Sequence, residues 1–274
     1  GAELDTSTTG IGDGADAGNI IIRASDIVSF DGQSNASTSV AATLTQTDGS
    51  TSEFEVTGDA GDIDIQARSL SVTDGARLLT YSTGAGNAGD IRVKTTESVI
   101  ISGIVPATES VLFSGTPFEN IITNTTSSLI LSGTGGFGSP GNSTGKGGNI
   151  NIETGILKLS DGGAISARSL SVAEAGNVNL NVKELELING GQDFTKASNT
   201  GAAGNITVNA IDTISISGFD SRLPIPESGL FANSSSSETT NAGNININAP
   251  SVFINNQGKI STETNSGNGG NINL

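Results

Sequence analysis

The 274-residue chain contains no cysteine, histidine, methionine or tryptophan, and only one tyrosine and six prolines. Each absence closes a route. Without cysteine there is no disulfide framework. Without histidine as well, neither a Ser-His-Asp nor a Cys-His nucleophile arrangement can be assembled, and no metal can be held by imidazole or thiolate. No apolar run approaches the about 18 residues needed to span a bilayer, so membrane insertion is not expected. The opening G-A-E-L-D-T has neither a basic region nor an apolar stretch that would make it a leader. Positive charge is scarce too: 12 basic residues face 28 acidic ones, a net charge of −16. That balance disfavours nucleic acid, heparin-like polyanions and anionic membranes as partners, and favours solubility. Helical apolar spacing is missing throughout.

What the chain has is glycine, 38 of them, at regular positions. Ala-Gly-Asn/Asp or Gly-Gly-Asn followed by apolar-x-apolar occurs at glycines 18, 61, 89, 148, 176, 204, 243 and 270, as in A-G-D-I-D-I (60–65) and A-G-N-I-N-I (242–247). The intervals are 43, 28, 59, 28, 28, 39 and 27 residues, so the unit is one of about 28 that sometimes carries an insert. A fixed period in this range marks a solenoid, a propeller or an array.

Within a unit, apolar residues alternate with polar ones, the period of a strand with one buried face. Ile63 and Ile65 share a face, and a second run follows at Leu70 and Val72, ending in a glycine 14 positions after the signature glycine. Gly32, Gly75, Gly103, Gly162, Gly190 and Gly218 keep that offset, and the seventh unit misses it by one at Gly258. A weaker third run appears at Leu78 and Leu79, Ile165 and Ala167, or Ile260 and Thr262. Three short strands per turn with glycine-bearing corners predict an all-β fold, a right-handed parallel β-helix of about eight coils. A propeller would need a tryptophan-rich closure, and leucine-rich repeats a helical side; neither is present. The hexapeptide A-R-S-L-S-V occurs at 67–72 and again at 167–172, at different offsets, so these words encode strand and not a site.

Stacking of equivalent positions predicts a polar ladder at one corner, made of Asn19, Asp62, Asp90, Asn149, Asn177, Asn205, Asn244 and Asn271. Asp62 and Asp90 fall on consecutive coils, where like charges require water or a cation between them. Asp62, Asp64, Asp74 and Asp90 are the acidic residues placed for a carboxylate pair such as a β-helical polysaccharide hydrolase or lyase uses. Each has a plainer account: Asp62 and Asp90 substitute for Asn in the ladder, and Asp64 faces Arg92 one coil on as a cross-strand ion pair. D-G-A-D (13–16) is a single acidic pair and not the tandem repeat of a calcium-binding β-roll. No cofactor is expected.

With A-G-N-I-x-I, the glycine at offset 14 and Ser/Thr/Asn-rich corners, residues 17–274 resemble the repeat region of two-partner-secreted exoproteins related to filamentous haemagglutinin, of the cyanobacterial type. The resemblance implies a β-helical rod exported through an outer-membrane secretion partner, exposed at the cell surface and serving as an adhesin or extracellular filament. It brings no catalytic residues, and the Asn-Pro-Asn of that family's secretion domain is absent here.

The expectation is therefore a single β-helix over 1–274, a segment of a longer repeat array because both ends cut through a unit. Head-to-tail association through open strand edges follows from that. Inserts at about 33–60, 104–147 and 219–242 decorate three coils and hold most of the phenylalanine and proline, which places recognition on one side of the rod. Phe219, Arg222 and Phe231, with Phe113 and Phe118, are the candidate partner-binding residues. A glycan, another surface protein and a second copy of the rod all fit. The alternative function is a β-helical polysaccharide-active enzyme working through carboxylates.

Overall fold

A computed structural model describes residues 1–8, 14–40, 43–45, 51–53, 57–106, 125–135, 143–223, 225–236 and 238–274. Among these the chain is all strand and turn, with no helix. It passes alternately between two parallel sheets, one of ten strands and one of eight, an order consistent with a parallel β-solenoid. The signature residues are in register from one coil to the next: Ile20, Ile63, Ile91, Ile150, Val178, Ile206, Ile245 and Ile272 form one row of the ten-stranded sheet.

The expected first and second strands are drawn into one. Ile63–Thr73, Ile91–Ser102, Ile150–Ser160, Val178–Ile188 and Ile206–Ser217 each run unbroken through both apolar stretches. No positive-φ glycine separates the stretches, so a bulge between Ala67 and Ser69, or between Val182 and Glu184, is enough to turn the chain slightly while pairing continues. These five coils are therefore built on two strands, whereas the first keeps Ile20–Arg23 apart from Ile27–Phe30 and the seventh Ile245–Asn248 apart from Ser251–Asn255, as expected. The remaining strand of each coil belongs to the eight-stranded sheet: Asn35–Val40, Arg77–Ser82, Leu129–Thr134, Ala164–Ser169, Gln192–Ala197, Gly229–Ser234 and Lys259–Ser261.

Two kinds of glycine make this winding feasible. At the offset-14 corner the backbone is left-handed: Gly75, Gly162 and Gly190 have φ of 83°, 81° and 80° and follow Asp74, Asp161 and Asn189, themselves at 54°, 52° and 49°. Asp-Gly and Asn-Gly suit such paired positive-φ turns, which accounts for Asp74 without any catalytic role. Where the seventh coil lacks the glycine, Gln257 takes its place at φ 70°. The signature glycines are needed for a different reason. A Cβ on Gly176 would lie 1.8 Å from the carbonyl oxygen of Gly148, and one on Gly204 1.9 Å from that of Gly176, so backbone packs on backbone at this corner.

The interior is one continuous aliphatic cluster, with Ile63, Leu78, Ile91, Ile130, Ile150, Leu157, Ile206 and Ile216 wholly buried. Hydroxyls line its edge. Thr80 and Ser132 both donate to the Gly89 carbonyl at 2.7 Å, and Thr195 donates to that of Gly204 at 2.6 Å. These three hydroxyls thus satisfy carbonyls that the close glycine stacking turns inward.

The inserts are narrower than the sequence suggests, because a strand of the eight-stranded sheet lies inside each expected range. In 33–60 that strand is Asn35–Val40, and the extra residues follow it, with Thr43–Thr45 paired antiparallel to Thr51–Glu53. In 104–147 the strand is Leu129–Thr134, and most extra residues precede it, on a stem pairing Ile104–Pro106 with Thr125–Ser127. In 219–242 it is Gly229–Ser234, and the extra loop precedes it, closed by the bridge of Phe219 to Glu227. The extra residues consequently follow a strand of the eight-stranded sheet in one coil and mostly precede it in the other two, and are not confined to one corner.

Candidate functional site

The corner ladder is a chain of hydrogen bonds. The backbone N–H of Asp62 donates to Asn19 Oδ1 at 2.7 Å, Asp90 to Asp62 at 2.8 Å, Asn149 to Asp90 at 2.8 Å and Asn177 to Asn149 at 3.0 Å. Asn205, Asn244 and Asn271 continue it, each donating at 2.8 Å to the side chain one coil back. Only Oδ1 is needed to accept, so Asp serves as well as Asn. Four carboxamides add an Nδ2 bond to the same oxygen, from Asn149, Asn177, Asn205 and Asn244.

At the two acidic rungs a side chain supplies the cation. Arg92 donates to Asp62 Oδ2 at 2.6 Å and to Asp90 Oδ2 at 2.7 Å, joining the two carboxylates through one guanidinium. The expected pair of Arg92 with Asp64 is therefore corrected. The two are register partners, yet Asp64 accepts from Arg23 of the preceding coil at 2.9 Å, which leaves Arg92 to the ladder. A shorter second ladder runs two residues before the first four signature glycines: Asp59 N–H donates to Asp16 at 2.8 Å, Asn87 to Asp59 at 2.7 Å and Lys146 to Asn87 at 3.0 Å. Sequence reasoning missed it, although Asp16, Asp59, Asn87, Asn241 and Asn268 share that offset. Asp16 is engaged here, Asp13 lies outside the described residues, and no group of three acidic side chains that could hold a metal occurs among the described residues.

Among the described residues the candidate binding side chains differ in placement. Phe219 is 48% exposed. Arg222 is clasped to Asp220, with Nη2 to Oδ2 at 2.5 Å, and holds that carboxyl below its usual range. Phe231 is corrected: it is only 3% exposed, on the outer side of Gly229–Ser234, where its ring lies across the bare Gly229. Phe113 and Phe118 lie outside the described residues.

The outer side of the eight-stranded sheet, expected to be solvated, is buried over much of its extent. Leu79, Leu129, Leu131 and Ala164 form a second apolar cluster there, with Tyr81 and Phe194 against it. The insert 219–227 folds back over this side. Leu223 reaches the corner at Gly190, and the carbonyls of Ile225 and Glu227 accept from Gln192 Nε2 at 2.5 and 2.9 Å. Between insert and sheet remains a cleft of about 390 Å³ whose walls include Phe194, Phe231, Arg168, Lys196, Asn233 and Ile225. Burial lowers Arg168 to about 9, and burial together with the neighbouring Arg168 lowers Lys196.

On the inner side one residue breaks the aliphatic ladder. Asp193 is in register with Ile165 and Leu230, is wholly buried, and neither of its carboxylate oxygens has a hydrogen-bond partner among the described residues. Burial raises its carboxyl well above the usual range. Its place in the third run was the available signal, but that run is too weakly periodic to separate inside from outside.

No protein-family model, no curated protein and no solved structure matches the chain.

Proposed function

We propose that this chain is a right-handed β-helical rod of about eight coils, a structural segment of a secreted cell-surface adhesin or extracellular filament. The observation that carries the proposal is the unbroken ladder from Asn19 to Asn271. Each signature carboxamide or carboxylate holds the backbone of the next coil. Such a chain of nearest-neighbour bonds propagates a solenoid, and within it Asp62 and Asp90 are tied to Arg92. Lateral ion pairs between coils, Lys94 to Glu153 and Lys158 to Glu186 among them, serve the same end. Export through an outer-membrane partner belongs to the same proposal and rests on the repeat signature alone.

The test is attachment. Beads coated with the protein are expected to adhere to cells or extracellular matrix, and small-angle scattering to give an elongated particle. Uncoated-level adhesion would defeat the adhesin proposal, and turnover of a neutral or acidic polysaccharide lost on Asp62→Asn would favour the enzyme instead.

A further inference from the structure

The outer side of the ten-stranded sheet carries an arrangement that winding alone does not call for. Over three successive coils the strands pair without a register shift at 178–181, 206–209 and 245–248, and Val178, Leu180, Ile206, Val208, Ile245 and Ile247 lie in the core. The alternate residues therefore face outward, in two rows beside the corner ladder: Asn179, Thr207 and Asn246, then Asn181, Asn209 and Asn248. With the three ladder carboxamides of the same coils they make a grid of nine side chains, eight of them asparagine and none charged or apolar. Its members repeat about every 4.8 Å along the rod and about every 6.6 Å across it. Asparagine is disfavoured in strands, where threonine or valine packs better, so its repeated use at mid-strand points away from a purely structural origin. On earlier coils the same two rows carry Asp64, Gln66, Arg92 and Lys94. The charges bordering the grid, Glu153 and Lys183, are both in ion pairs, with Lys94 at 2.7 Å and Asp212 at 3.6 Å.

Each carboxamide has two N–H donors and two acceptor lone pairs. Asn179 Nδ2 donates to Asn151 Oδ1 at 3.0 Å, and Asn209 Nδ2 to Asn181 Oδ1 at 3.0 Å. These bonds orient the amides along the rod and leave Asn179, Asn181 and Asn209 each with a donor and an acceptor for a ligand. We propose that the grid binds a neutral polysaccharide in extended form, a β-1,4-linked hexose chain lying along the rod. In such a ribbon one sugar advances by nearly the spacing of one coil, and its hydroxyls line both edges, where the two rows stand. Charge and chemistry disfavour other occupants. A polyanion, or a second copy of this chain, is repelled by a protein of net charge −16. An apolar partner surface would bury the amides without giving them hydrogen bonds. Hydroxyls both donate and accept, and so meet both kinds of group. The inference rests on the proposed adhesin role, for which it names the ligand class.

The probe is microcrystalline cellulose, compared with starch granules, whose α-linked chains coil. The protein is expected to co-sediment with cellulose and to stay in solution with starch. Because the contact holds no ion pair, raised salt is expected to leave the binding unchanged. Asn181→Ala combined with Asn209→Ala is expected to weaken it about tenfold, the size of one or two neutral hydrogen bonds. Gln66→Ala, in the same row on an earlier coil, is expected to have no effect. Urea unfolding verifies that the variants are folded. If the double variant is misfolded, NMR titration of the unmodified protein with cellohexaose decides, with the side-chain amide signals of Asn181 and Asn209 expected to move and that of Asn87 to stay. No binding to cellulose, equal binding to starch, loss of binding in salt, or an unchanged double variant overturns the site. A concentration-dependent dimer that the double variant abolishes, with cellulose unbound, overturns it too and assigns the face to a second copy. If cellulose is not bound while coated beads still adhere, the adhesin proposal survives without this ligand. If cellulose is bound and beads do not adhere, the site stands and the adhesin proposal falls.

Discussion

The backbone N–H of Asn205 donates to Oδ1 of Asn177, one coil back, at 2.8 Å. That oxygen also receives Asn205 Nδ2, so a single atom fixes both the main chain and the side chain of its successor. Asn177→Ala removes the acceptor and leaves the Asn205 N–H to water at an exposed corner. The expected loss is about 0.5–1.5 kcal/mol in urea unfolding. Asn177→Asp keeps the oxygen and is expected to cost less than half as much, in line with the two natural Asp rungs. Equal losses would show that the charge, and not the acceptor, matters at this corner.

The two kinds of glycine are separable by substitution. At Gly32 φ is +53° and nothing stands within 4 Å of a built Cβ, so Gly32→Ala carries conformational strain alone, about 1–2 kcal/mol. Gly176→Ala would drive a methyl to 1.8 Å from the Gly148 carbonyl oxygen, which is main chain and cannot swing aside. It is expected to exceed about 3 kcal/mol or abolish folding. Comparable denaturation midpoints for the two variants would contradict the stacking argument.

Arg92 is predicted to act as the cation between two carboxylates. Arg92→Gln leaves Asp62 and Asp90 repelling across one coil spacing, and the loss should stay within about 1 kcal/mol because the groups are largely solvated, and should shrink at high salt. Combining it with Asp62→Asn and Asp90→Asn, which restores an all-carboxamide ladder, is expected to recover stability. Failure of that triple variant to recover would mean that Arg92 contributes through packing.

Asp193 gives the molecule an inverted pH response at one position. Burial raises its native carboxyl well above the usual range, while in the unfolded chain it ionises near the usual value of about 3.9. Its contribution is therefore fully present below that value and lost as pH rises toward the native one, at about 1.4 kcal/mol per pH unit. Asp193→Leu is expected to raise stability at pH 7 by about 2 kcal/mol or more and to flatten this part of the pH profile. Denaturant midpoints from pH 4 to 8 for the two proteins measure both. A destabilised Leu variant with an unchanged pH slope would place the carboxyl elsewhere than between Ile165 and Leu230.

What the sequence by itself determined is everything that repeats. The signature row, the ladder from Asn19 to Asn271 and the left-handed corners at Gly75, Gly162 and Gly190 are nearest-neighbour features, and a solenoid places neighbours one period apart. Comparing the chain with itself therefore reveals the contacts. The tertiary structure decided what does not repeat. Whether two apolar runs merge into one strand depends on how far a bulge bends the chain, and Ile63–Thr73 shows that it bends little. Arg23, and not Arg92, reaches Asp64 because Arg92 already joins Asp62 to Asp90. Phe231, Arg168 and Leu131 point outward from a strand, where alternation predicts exposure, yet they are buried. An insert from a distant stretch of chain folds over that side, and its docking, Gln192 to the carbonyls of Ile225 and Glu227, has no period to give it away. Asp193 is the converse case: a polar residue on the inward alternation, held there because the register of the rows above and below it leaves the strand no other way to face.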